Sequence, residues 1–238
     1  MRLWVKVGQV MAGLLVSGAS QVGAAPVELA VFPQEERFQD LDDRLFSLGW
    51  SVTGTFAYLL VHANEAADER LWEAWVLDPG KGEAEQLHQV RVDATWGIDR
   101  FWEEQGAAVT NLLESNGVRV VEGDGVPILH RFPTATGRFR GFYQEAIVDI
   151  ERGKDPLFDY NGIRTWSVRL MQNGEMIKEI DREEFVQFYP LTGAVAGALV
   201  SPSGEEMVVV LAMTQRGYEG PPHPRKLRLV GTTIGERF

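Results

Sequence analysis

Trp50-Ser51-Val52-Thr53-Gly54-Thr55-Phe56-Ala57-Tyr58-Leu59-Leu60-Val61 sets a tight polar turn against an unbroken apolar run. The run is rich in β-branched and aromatic residues, which fit a pleated, buried surface. After a polar stretch at 64–70, the pattern resumes in Leu71-Trp72-Glu73-Ala74-Trp75-Val76-Leu77 and stops at Asp78-Pro79-Gly80-Lys81-Gly82. Proline presets φ in that turn and glycine accepts positive φ. Strand, turn, strand and turn in close succession read as an antiparallel meander.

Outward from this stretch the same style continues. Residues 27–32 form a short apolar run, 34–43 a polar loop or helical turn, and 45–50 a mixed strand. Residues 87–92 alternate apolar and polar, as a half-buried strand should. One helix interrupts the series at 99–116. Ile98, Phe101, Trp102, Val109, Leu112 and Leu113 fall on one helical face, Asp99 is the expected N-cap, and Asn116-Gly117 is a stop. Further strands are expected at 118–121, 141–150, 163–171 and 176–180. The last two flank Asn173-Gly174, a strong hairpin signal. Residues 181–184 are expected to cap a short helical turn running to 188. Strands at 195–200, 207–213 and 226–230 close the chain. The expected fold class is mainly β, a β-rich α+β arrangement of antiparallel blade-like meanders, or a partial β-propeller, with one amphipathic helix near 99–116.

The turn at 50–54 has an echo. Val200-Ser201-Pro202-Ser203-Gly204 also joins two apolar runs, and each unit ends in Gly-Glu, at Gly82-Glu83 and Gly235-Glu236. In both turns the Ser hydroxyl is placed to bond a backbone N–H two residues on. The two units resemble the hairpins of WD40-like or TolB-like propeller blades, whose turn runs apolar-Ser-Pro-Asp-Gly. Thr53 and Ser203 stand where that pattern has Asp, and Val52 where it has Pro. Taken with Arg216-Gly217-Tyr218-Glu219-Gly220-Pro221, the run Leu48–Gly54 resembles a family of predicted secreted bacterial proteins of unknown function. That resemblance implies export and a β-rich fold, and no activity.

Residues 1–24 carry their own signal. Arg2 and Lys6 precede an uncharged, mostly apolar stretch at 7–16, and small residues follow to Ala24. This is the pattern of a cleavable secretory leader, too short to span a bilayer. A single β-rich domain over 25–238 is expected, free in a periplasm or secreted, with no membrane anchor. The chain has no cysteine, so neither a disulfide nor a lipidated Cys is available. The whole chain has a net charge of −11; without Arg2 and Lys6 it keeps 21 Lys and Arg against 34 Asp and Glu, or −13. Such a balance argues against nucleic acid as a partner.

Familiar chemistries are missing. There is no Gly-x-Ser-x-Gly elbow, no phosphate-binding glycine loop and no His pair at ligand spacing. Asp159-Tyr160-Asn161-Gly162 resembles the middle of a calcium loop, but Leu157 and Val168 occupy its first and last ligand positions. An Asx-type turn is expected there instead. Asp40, Asp42 and Asp43 form a small acidic cluster that reads as a solvated loop, with weak calcium binding as the alternative. No catalytic residue, metal ligand or cofactor is assigned. The binding candidates are Arg216, Tyr218 and Glu219, a cation, an aromatic and an anion on a long loop after an apolar strand. The plain alternative is that Arg216 and Glu219 simply pair with each other. The expected function is non-enzymatic binding of an envelope protein partner. A hydrolase acting on envelope glycan or peptide, and a small-ligand carrier, are the rival classes. Oligomeric state is not legible.

Overall fold

The computed structural model describes residues 24–32, 36–37, 41–63, 68–118, 138–141, 144–217 and 219–234. The leader expected at 1–24 lies outside them except for Ala24. The fold is mainly β, with three antiparallel sheets and one helix. The first sheet runs β1 (Glu28–Leu29), β2 (Arg44–Trp50), β3 (Phe56–Ala63), β4 (Glu69–Asp78) and β5 (Glu83–Asp93), paired in chain order. Helix α1 (Ile98–Ser115) follows. The second sheet is β6 (Arg138–Gly141), β7 (Gln144–Lys154), β8 (Asn161–Gln172) and β9 (Glu175–Glu184). The third is β10 (Thr192–Val200), β11 (Glu206–Thr214) and β12 (Arg225–Thr233). Every sheet is thus an antiparallel meander.

Side-chain alternation along the strands stacks these elements. Ala57, Leu59 and Val61 on β3 face α1, while Phe56, Tyr58 and Leu60 face the third sheet. Val208 and Val210 on β11 face the first sheet, and Met207, Val209 and Leu211 face the second. The layers therefore run α1, first sheet, third sheet, second sheet. The sheet that comes last in the chain is the central one.

The helix buries Phe101, Trp102, Gly106, Val109 and Leu113 against the first sheet. Phe101 stacks on Trp72 with ring centroids 4.3 Å apart. Its N-cap is Gly97 rather than Asp99, which lies inside the first turn, where its charge complements the helix dipole. Its C-terminus closes with Gly117 N–H on the Glu114 carbonyl and Val118 N–H on the Leu113 carbonyl, with Gly117 at φ 73°. This is the glycine-dependent stop that the Asn116-Gly117 pair implies. Val118 then bridges back to Ser51, and the rest of the strand expected at 118–121 lies outside the described residues.

The two echoing turns match in part. Ser51 Oγ accepts from the Thr53 N–H two residues on, as expected, and from the Thr55 N–H, whereas Ser201 Oγ accepts from the Glu206 N–H five residues on. Gly54 N–H bonds the Ser51 carbonyl and Gly204 N–H the Ser201 carbonyl, with φ 81° and 77° at the glycines. Gly235 and Glu236 lie outside the described residues.

One expected element is different. Residues 181–184 are not a helical turn but the end of edge strand β9. Their mixed charges are drawn into the ladder by Arg228 on β12, which pairs with Asp181 at 2.8 Å and also with Glu183.

Candidate functional site

Three loops meet at one end of the second and third sheets: 155–160 between β7 and β8, 185–191 between β9 and β10, and 215–224 between β11 and β12. Asp155 organises the first two. It is buried, and its Oδ1 accepts from the N–H groups of Leu157 and Phe158 at 2.8 and 3.1 Å. Its Oδ2 accepts from the Tyr189 N–H at 2.8 Å. Burial would raise the Asp155 carboxyl, but these backbone donors outweigh it and hold the group below the usual carboxylate range. The Tyr160 hydroxyl donates to the Tyr189 carbonyl at 2.8 Å and sits 3.4 Å from Asp155 Oδ2. Burial, then the nearby Asp155 charge, pushes that phenol up. The Asx-type turn expected at 159–162 is not formed there, since Asn161 and Gly162 open β8; the turn lies at 155–158, with Asp155 as its acceptor. Asp159 pairs with Lys154 at 2.7 Å.

On this base stands an aromatic platform. Phe158 lies 5.6 Å from Phe188 and 6.3 Å from Tyr160, centroid to centroid. The Arg216 guanidinium sits 4.8 Å over the Phe158 ring and 5.3 Å over Tyr160. Its loop is tightly closed. Gln215 N–H bonds the Pro224 carbonyl, Gly220 N–H bonds the Gly217 carbonyl, and Gly217 N–H donates to His223 Nδ1. A Cβ on Gly217 would lie 2.3 Å from the Gly220 oxygen, so the turn beside Arg216 admits only glycine. Phe188 is 57% exposed and adopts φ 56°, a left-handed conformation costly for a bulky residue.

Of the three sequence candidates, Arg216 belongs to this site. Glu219 is exposed and makes no ion pair with it, because the guanidinium is laid over two rings instead. The expected Arg216–Glu219 pair is thus not formed. Tyr218 lies outside the described residues. Phe158, Tyr160 and Phe188 are not among the binding candidates that the sequence offers. Their one available signal was aromatic residues set inside polar connections.

A second polar cluster lies at the same end of the third sheet, toward the first sheet. Asp42 and Asp43 are buried, not solvated as expected. Asp42 pairs with Arg225 at 2.9 Å. Asp43 Oδ2 accepts from Leu227 N–H, and its Oδ1 meets Lys226 Nζ at 3.2 Å and His62 Nδ1 at 2.9 Å. The other His62 nitrogen is 3.3 Å from Glu73. Burial alone would lower the imidazole, but the Asp43 hydrogen bond and charge, with Glu73, outweigh burial and Lys226 and raise it. Fold closure explains this cluster, since it ties the entry to β2 onto the start of β12. Asp40 and His130 lie outside the described residues. Among the described residues no group of three His, Asp or Glu is placed to hold a metal. No helix there is long and apolar enough to cross a membrane.

The chain matches no family model. No curated protein and no solved structure matches it either.

Proposed function

We propose that the chain is a protein-binding module whose contact surface is the Arg216–Phe158–Tyr160–Phe188 platform. The observation that carries the reading is Phe188, held exposed in a left-handed conformation by a loop pinned to Asp155. Backbone strain of this kind costs roughly 1–3 kcal/mol and persists where the surroundings over-determine it, often at ligand contacts. Burying such a ring returns about 1.5–3 kcal/mol. Arginine and aromatic side chains are the residue types that dominate interface energetics. Of the seven exposed large hydrophobics among the described residues, Leu157, Val186 and Phe188 belong to these loops. The secretory leader expected at 1–24 would make the partner an envelope or extracellular protein.

The hydrolase reading has less support. His62 is the described histidine held between carboxylates, and both its nitrogens are engaged, so it offers no free lone pair to a substrate.

The test is site-directed photo-crosslinking in the producing cell. A photoreactive residue at Val186 should give one discrete adduct that Phe188→Ala and Arg216→Ala both abolish. The same probe at Val52, in the turn at the far end of the stack, should give none. Equal adducts from both positions, or a Val186 adduct indifferent to both alanines, would sink the proposal.

A further inference from the structure

Resting on that binding reading, we infer that the platform takes an extended apolar peptide segment bearing a single side-chain carboxylate, which Arg216 receives. Three observations converge on that chemistry. First, Arg216 is exposed and meets no carboxylate among the described residues, although the chain carries 34 acids against 23 bases. The acids of the neighbouring loops are committed elsewhere, Asp155 to backbone N–H groups and Asp159 to Lys154. Glu219, three residues on, is exposed and makes no ion pair with it among the described residues. Second, the guanidinium rests on Phe158 and Tyr160 and so is held as an oriented fork. A stacked fork matches a carboxylate in bidentate geometry, which a lysine ammonium would not. Third, Leu157, Val186 and Phe188 expose apolar surface on the two loops that carry these rings. Apolar residues flanking the carboxylate would cover it. The net charge of −11 weighs against a polyacidic segment, whose further carboxylates would meet an acidic surface. A sugar is disfavoured too. The one buried carboxylate of the site, Asp155, is spent on the backbone.

The experiment is an NMR titration of the full chain, following Arg216 Nε–Hε and the Val186 and Leu157 methyls. The probes are an end-blocked pentapeptide of alanine and leucine around one central glutamate, its glutamine counterpart, and end-blocked pentaglutamate. The glutamate peptide should shift all three reporters and bind about tenfold more tightly than the glutamine peptide. Pentaglutamate should be the weakest. Arg216→Lys should lose most of the glutamate preference although it keeps the charge, and Arg216→Ala all of it. Equal binding of the glutamate and glutamine peptides, tightest binding by pentaglutamate, or shifts confined to other surfaces would overturn the inference. If the Val186 crosslink forms while the two peptides bind alike, the binding reading stands and the carboxylate inference falls. If neither crosslink nor shift appears, both fall.

Discussion

Gly162 has no side chain because none would fit. A Cβ there would lie 2.5 Å from the Tyr189 Cβ and 2.9 Å from both the Tyr189 and Pro190 carbonyl oxygens. That backbone cannot easily retreat. Ile163 N–H bonds the Pro190 carbonyl at 2.7 Å, and Asp155 holds the Tyr189 N–H. Gly162→Ala should therefore destabilise the protein by about 1–3 kcal/mol, as overpacking does. It should also lower the Val186 crosslink, because the displaced segment carries Phe188. Gly174→Ala is the control. Its Cβ would meet nothing within 4 Å, but φ is 87°, so roughly 1 kcal/mol of backbone cost is expected with the crosslink intact. Urea midpoints and adduct yield for the two variants decide the matter. Sequence distinguishes these glycines poorly. Gly174 is announced by its Asn-Gly turn. The need for Gly162 arises from a segment 27 residues away, and no local pattern records that approach.

At the scale of elements, the His62 cluster makes a pH prediction. His62 on β3 faces Asp43 ahead of β2, Glu73 on β4 and Lys226 on β12, with the Tyr58 phenol near Glu73. Protonated His62 joins two carboxylates, and its pKa in the fold is raised above the unfolded value of about 6.5. Between those two values the native state binds more protons than the unfolded state. The cluster's contribution is thus complete below about 6.5 and is lost as pH rises through the folded pKa. The unfolding free energy, followed by urea titration from pH 5.5 to 8.5, should fall across that window. In His62→Gln, which retains a hydrogen-bond donor but no titration, the fall should be absent. An unchanged slope in the variant would assign the pH dependence to other groups. The two partners were legible as residues, but their meeting was not. Asp42 and Asp43 looked like a solvated loop because only the β12 residues, more than 180 positions later, make them an ion-pair site. The end of edge strand β9 is hidden from the sequence for a related reason. Its Asp181, Arg182, Glu183 and Glu184 have no strand propensity of their own, and β8 and Arg228 impose the ladder.

For the whole molecule, the central position of the third sheet was half written in the sequence. A strand buried on both faces reads as an unbroken apolar run, not an alternating one. Phe56–Val61 and Met207–Met213 are such runs, and β3 and β11 are the strands with a layer on each side. What the runs do not carry is which layer covers which face, because the sheets meet through residues far apart in the chain. The stacking implies that the layers unfold together. Leu211 is fully buried on the face of β11 that meets the second sheet. Leu211→Ala should cost roughly 2–5 kcal/mol, depending on how far the cavity collapses. If the four layers form one cooperative unit, slowly exchanging amides of β3 should lose protection along with those of β8, although Leu211 touches the opposite core. Since 1.4 kcal/mol is a factor of ten, the loss should be on the order of thirtyfold or more at both places. Leu199→Ala, on the face that meets the first sheet, should produce the same pair of losses. Protection in β3 that survives Leu211→Ala while β8 opens would mean that the first sheet and helix fold as a unit of their own. The loops around Arg216 and Phe188, built from the second and third sheets alone, would then keep their shape independently of the His62 cluster.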